Sequence, residues 1–262
     1  MKENIIIIPD IHGRTFWKQI IPYVEKVKEI IFLGDYLDPY WWEDISNEEA
    51  IENFKEIIEF KKKYYEKVTL LIGNHDCEYF IPEFRSCRVD YKNMKEIRSI
   101  FMKNINLFKI AIYHQYDNIN YLFSHSCLLK GWVDVVKDKL DIESNDPKNV
   151  IDSLNRLLQC DNLDELRPIL GIISFSRGGY DKYGSIVWAH WNEVCQCKFE
   201  YDGWYQIFGH SQQISKEMEK DIYKFDGTNK LAEPIIREWF ACLDCKQIFQ
   251  LDENLVISKF KN

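Results

Sequence analysis

Three short apolar runs in the first third of the chain end alike. Ile5-Ile6-Ile7-Ile8 is followed by Pro9-Asp10-Ile11-His12-Gly13-Arg14, Ile30-Ile31-Phe32-Leu33 by Gly34-Asp35-Tyr36-Leu37-Asp38, and Leu70-Leu71-Ile72 by Gly73-Asn74-His75-Asp76. An apolar run stopped at a glycine or proline reads as a strand buried on both faces of a sheet. Each strand then delivers Asp, His or Asn to the rim of the sheet, an arrangement that is unfavourable unless something binds there. Between the runs the period changes. Phe16, Ile20, Tyr23, Val24 and Val27 recur at helical spacing over 15–28, interrupted by Pro22. Ile51, Phe54, Ile57 and Ile58 share one face of a helix that Ser46-Asn47-Glu48-Glu49 opens as a capping box. Strand, helix, strand is the βαβ pattern of a parallel sheet.

Farther along, Met94, Ile97, Phe101 and Ile105 predict another helix, and 108–113 and 119–123 predict two strands joined by a turn at Gln115-Tyr116-Asp117-Asn118. From about 128 to 201 the pattern becomes helical, with Ile151, Leu154 and Leu158 in phase and Pro147 and Pro168 as breaks. Strand-like runs resume at 205–208, 222–225, 240–243 and 247–251. The expectation is α/β, a mixed sheet or a two-sheet sandwich with outer helices, in a single domain over 1–262 carrying a helical cap insertion at about 128–201.

Composition narrows this picture. At 262 residues, 46% hydrophobic and 29% charged, the chain reads as an ordinary soluble protein with enough length for one substantial core. A net charge of -8 excludes a general nucleic-acid or anionic-membrane surface, which needs a basic field. The N-terminus lacks the features of a signal peptide and no run is long enough to span a membrane, so a cytoplasmic location is expected. The eight cysteines then read as reduced thiols; Cys242 and Cys245 have half the spacing of a zinc site, but Cys195 and Cys197 do not complete it.

The polar residues at the strand ends form one inventory: Asp10, His12, Asp35, Asp38, Asn74 and His75, joined by His125 after Tyr121-Leu122-Phe123-Ser124 and His210 after Ile207-Phe208-Gly209. Carboxylate, imidazole and amide oxygen suit a pair of divalent transition metals without any thiolate. Asp10-Ile11-His12-Gly13, Gly34-Asp35-Tyr36-Leu37-Asp38 and Gly73-Asn74-His75-Asp76, in that order, resemble the signature of calcineurin-like metallophosphoesterases, and most closely its phosphoprotein-phosphatase branch. Ser124-His125 and Gly209-His210-Ser211 match the two histidines that complete that signature. His114 also ends a strand, but the context of His125 is the closer match.

The resemblance implies a four-layer β-sandwich flanked by helices and two divalent ions (Mn²⁺, Fe²⁺/Fe³⁺ or Zn²⁺). Asp10 and His12 would bind the first, Asn74, His125 and His210 the second, and Asp35 both. It further implies hydrolysis of a phosphomonoester by a metal-bridging hydroxide, with His75, oriented by Asp38, protonating the leaving oxygen. Two such ions more than neutralise Asp10 and Asp35, leaving positive charge for an anionic phosphate. The branch continues the second motif with Arg-Gly, its arginine binding phosphate; here Pro39-Tyr40-Trp41-Trp42 follows. Arg177, flanked by Gly178-Gly179, is the preferred replacement, and Arg14, Arg85 and Arg88 are the others. Burial against the insertion is expected of Trp41 and Trp42, and packing of His190. The expected substrate is phosphorylated, a phosphoserine or phosphothreonine protein or a small phosphoester. A dinucleoside polyphosphate hydrolase or phosphodiesterase is the alternative, and a non-catalytic scaffold a third.

Overall fold

The isoleucine run forms β1 (Ile5–Ile8), and its side chains divide: Ile5 and Ile7 join one apolar cluster, Ile6 and Ile8 another. Successive strand residues point to opposite faces, so four consecutive buried isoleucines require cover on both. β2 (Glu29–Phe32), β3 (Val68–Leu71) and β4 (Phe108–Lys109) extend the sheet in parallel from β1. The chain then crosses into a second sheet of β5 (Ala111–Tyr116), β6 (Ile119–Ser124), β7 (Trp204–Phe208), β8 (Ile235–Ile236) and β9 (Phe240–Cys242), ordered β5-β6-β7-β9-β8. It returns as β10 (Phe249–Leu251) and β11 (Ile257–Lys259), which add antiparallel strands beyond β1. This computed structural model describes residues 4–196, 201–212 and 233–261.

Ile5, Ile7, Ile31 and Leu71 of the first sheet meet Phe123, Ile207 and Ala241 of the second in one buried cluster, so the two sheets pack face to face. The other face of the first sheet packs Ile6, Ile8, Phe32 and Leu70 with Phe54, Ile57 and Ile58 of α1 (Asn47–Lys63) and Phe101 of α3 (Met94–Asn104). Between these helices in sequence comes α2 (Asn74–Phe80), which begins at the third motif itself. The two-sheet sandwich expected from the runs is therefore the fold. The predicted capping box is also present: Ser46 Oγ accepts from the Glu49 N–H at 3.1 Å while Glu49 accepts from the Ser46 N–H at 2.8 Å.

Three expectations change in detail. Residues 15–28 wind as a 3-10 helix, Phe16–Lys26, with Pro22 inside it; a residue without an N–H is better tolerated in these tighter turns than in a regular α-helix. Pro147 and Pro168 do not break helices but start them, sitting in the first turns of α5 (Pro147–Leu158) and α6 (Arg167–Leu170), where a missing N–H is harmless. The run 108–113 splits at Ile110, whose N–H goes to Asn155 Oδ1 at 2.8 Å, and this is the crossing between sheets. The segment 128–201 also contains α4 (Lys130–Leu140) and α7 (Trp191–Gln196). The run at 222–225 lies outside the described residues. No helix among the described residues is long and apolar enough to cross a membrane.

Candidate metal centre

Asp10, Asp35 and Asn74 follow β1, β2 and β3 within three residues, and His125 and His210 follow β6 and β7 as closely. Parallel strands thus bring their carboxyl ends, and five prospective ligands, to one edge of the sandwich. The turns there are strained. His12, Asp35, Asp38 and His210 all adopt left-handed backbone, with φ of 43°, 53°, 59° and 63°, a conformation that persists only where the surroundings over-determine it. They do: the Asp35 carbonyl accepts from the Ile11 and His12 N–H groups at 3.0 and 2.7 Å. The buried Asp76 carboxylate accepts from Gly73 and Asp35 at 2.8 Å and from Tyr36 at 3.0 Å. Asp76 therefore ties the second motif to the third.

Two glycines make room for the carboxylates. A Cβ on Gly73 would lie 2.1 Å from Asp35 Oδ1, and one on Gly209 2.1 Å from Asp10 Oδ1. Through these gaps the His75 N–H donates to Asp35 Oδ1 at 3.0 Å, and the His210 N–H to Asp10 Oδ1 and Oδ2 at 3.0 and 3.1 Å.

Three histidines each donate one ring N–H to a backbone carbonyl: His12 Nδ1 to Leu37 at 2.8 Å, His125 Nδ1 to Leu33 at 2.9 Å and His210 Nε2 to Trp188 at 3.2 Å. This fixes the tautomer and turns the other nitrogen inward as an electron-pair donor. His125 Nε2 consequently faces His210 Nδ1 at 3.1 Å, Asn74 Oδ1 at 3.0 Å and Asp35 Oδ2 at 3.4 Å. The Asn74 amide is oriented by donating from Nδ2 to Ser86 Oγ at 3.2 Å. Four lone pairs converging in a buried space repel one another unless a cation lies among them. Asp35 belongs to two such clusters, with His125 and His210 on one side and with His12 and His75 on the other, the ligand atoms of each lying within 4.8 Å. The donor set thus fits divalent metal.

The electrostatics agree. Burial, and then the neighbouring Asp35 carboxylate, push Asp10 up to about 7. Burial pushes His12 and His210 well below the usual imidazole range and lowers His125. The pocket disfavours both a bare carboxylate and an imidazolium, and a cation relieves both. His75 behaves oppositely. Burial alone would lower it, but Asp35 and the Asp38 hydrogen bond outweigh that and hold it up at about 10. Its Nδ1 pairs with Asp38 Oδ2 at 2.7 Å, and Asp38 Oδ1 accepts from the Tyr79 hydroxyl, which itself accepts from the Asp90 N–H at 2.9 Å.

The arginines separate. Arg14 donates from Nε to Glu43 at 2.9 Å and from Nη1 to the Asp10 carbonyl at 3.2 Å, while its buried Nη2 has no partner. Arg177, from a 3-10 turn (Phe175–Arg177) that Gly178 closes at φ 80°, donates from Nη2 to the His210 carbonyl at 3.1 Å and to Ser211 Oγ at 2.5 Å; its Nε is also buried without a partner. Arg85 lines a separate hollow with Glu78, Glu83 and Tyr91. Arg88, in contrast, reaches His75.

Other residues part from expectation. His114 pairs with Glu29 at 2.7 Å, apart from the cluster around Asp35. His190 is half-buried, its ring centre 5.6 Å from that of the adjacent Trp191. Trp41 is not buried against the insertion but 85% exposed, and Trp42 is half-buried and stacks on Tyr40, ring centres 4.6 Å apart. Sequence reasoning missed Tyr79, although it lies four residues after His75 and hence on the same helix face. It also missed Asp244, buried after β9 with Oδ1 lacking a partner and held well above the carboxylate range by burial and then by Asp10.

A family model for calcineurin-like phosphoesterases matches residues 3–213, and the chain belongs to that family. It is accordingly a metal-dependent phosphoesterase. Among solved structures, a protein serine/threonine phosphatase from Saccharomyces cerevisiae, with similarity to human phosphatase PP5, superposes with a TM-score of 0.52 at 11% identity. The alignment covers 99% of this chain and 80% of that one, a likeness of fold. A cold-active protein-tyrosine phosphatase of a psychrophilic Shewanella gives 0.47 at 13% identity, over 99% of this chain and 80% of that one. No curated protein sequence matches the chain.

Proposed function

We propose that Asp10 and His12 hold one divalent cation, that Asn74, His125 and His210 hold a second, and that Asp35 serves both. The observation that carries this reading is the convergence of four inward lone pairs, those of His125 Nε2, His210 Nδ1, Asn74 Oδ1 and Asp35 Oδ2, with every imidazole pinned from behind. When bound, the ions supply Lewis-acid polarisation of phosphoryl oxygens and make water acidic enough to attack phosphorus. His75 then gives a proton from Nε2 to the leaving oxygen, its Nδ1 being taken by Asp38. Tyr79 fixes Asp38, so the ring keeps one orientation. The buried unpartnered nitrogens of Arg14 and Arg177 are available to substrate oxygens, and 128–201 caps the site of a single domain through Arg177 and the Trp188 carbonyl. The favoured substrate is a phosphomonoester, including phosphoserine or phosphothreonine on protein. The exposed Trp41 supports a second reading, a dinucleoside polyphosphate whose base stacks there.

Manganese-loaded protein is expected to hydrolyse p-nitrophenyl phosphate and to stop on chelation; no turnover with Mn²⁺, Fe²⁺ or Zn²⁺ supports the scaffold instead. A phosphopeptide, bis-p-nitrophenyl phosphate and a dinucleoside tetraphosphate separate the two substrate readings. His75→Asn is expected to retain its metals, measured by elemental analysis, while turnover falls about 10²–10⁴-fold, most for alkyl esters with poor leaving groups. Loss of metal in that variant assigns His75 to the ligands.

A further inference from the structure

We infer that Arg88, seated on the ring of Tyr40, is the guanidinium that grips the substrate phosphoryl group beside His75. The inference rests on the phosphoesterase reading of the same site. His75 has one nitrogen occupied by Asp38, and the other, Nε2, lies 3.3 Å from Arg88 Nη2. A leaving oxygen that comes within hydrogen-bond reach of Nε2 is therefore next to the Arg88 fork, whose parallel donors match a phosphate edge.

Arg88 is built for one position. Its Cζ sits 3.8 Å from the Tyr40 ring centre, close for a cation over an aromatic face, and its Nε donates to the Asp38 carbonyl at 3.3 Å. Residue 88 itself holds left-handed backbone, φ 59°. Tyr40 in turn is fixed by Trp42 stacked at 4.6 Å and by His12 at 5.1 Å, edge to face. No carboxylate among the described residues lies within ion-pair distance of Arg88, whereas Arg14 is bound to Glu43. A guanidinium oriented at a buried site and left without a counter-anion is arranged for an anionic ligand. Tyr40 is thus a positioning residue, acting through Arg88.

The test is calorimetric titration of inorganic phosphate into manganese-loaded protein, paired with phosphate inhibition of p-nitrophenyl phosphate turnover. Arg88→Ala is expected to weaken phosphate about 10–100-fold and to raise KM similarly, with metal content unchanged. Arg88→Lys recovers little, because a point charge cannot reproduce the fork. Tyr40→Leu weakens phosphate in the same direction, and Tyr40→Phe, which keeps the ring, recovers what Tyr40→Leu loses. A merely structural role would disturb metal content or kcat without moving phosphate affinity. Phosphate affinity within twofold of wild type in both Arg88→Ala and Tyr40→Leu overturns the inference. Should Arg88→Ala fail to fold, Arg88→Lys and Tyr40→Leu carry the same comparison. If the wild type does not turn over any ester, the proposed function falls while the phosphate titration still decides Arg88; a wild type that binds no phosphate overturns the clamp too.

Discussion

Asp35→Asn is expected to empty both metal positions and to lower turnover on the order of a thousandfold or more. The substitution is chosen because little else changes. Asparagine tolerates left-handed backbone as well as aspartate does, so the φ of 53° at this position is kept. The amide oxygen can still accept the His75 N–H that Oδ1 accepts at 3.0 Å, and the side chain still fits the space left by Gly73. What is lost is the negative charge common to two clusters: His125 and His210 on one side, His12 and His75 on the other. Cations that bind only the folded chain raise its melting temperature by mass action. Manganese should therefore raise Tm in the wild type and leave Asp35→Asn nearly unmoved, a readout independent of turnover. Full metal occupancy in the variant contradicts the shared role of Asp35.

Asp35 entered the inventory of candidate ligands because of where such sites form. A metal centre at the carboxyl ends of parallel strands needs ligands just after apolar runs, so run and ligand appear together, as in Ile5 to His12 and Leu70 to His75. The two-sheet fold was legible for the same reason, since a fully buried strand is continuous in sequence. Groups that act through the backbone leave no such trace. The carbonyls of Leu33, Leu37 and Trp188 orient the three imidazoles, and any residue type would have carried them. Arg88 was one arginine among several because its partners, Tyr40 and His75, meet it only through the tertiary path of the chain. Trp41 was misread because hydrophobicity ordinarily signals burial, and here the ring remains in solvent.

Gly209→Ala is expected to distinguish the two proposed cation positions by one methyl group. The added Cβ would stand 2.1 Å from Asp10 Oδ1, and the next nearest atoms, Asp10 Cγ at 3.3 Å and Asp10 N at 3.8 Å, are not severely crowded. The carboxylate must therefore turn, giving up the His210 N–H that both its oxygens accept, while the Gly209 N–H can keep its bond to the His125 carbonyl at 2.9 Å. Gly73→Ala is a less clean experiment, because its Cβ also meets the Asp35 backbone nitrogen at 2.8 Å. The expected result for Gly209→Ala is retention of the metal at Asn74, His125 and His210 and a loss of affinity of about 10–100-fold for the one at Asp10 and His12, the range seen when a ligand's support is removed. Turnover should fall with that affinity and return as manganese is raised, whereas Asp35→Asn should not be rescued. Metal titration followed by calorimetry distinguishes the cases: one weakened step beside one intact step supports two cations held by separate residues around Asp35, and two unchanged steps exclude Asp10 as a ligand.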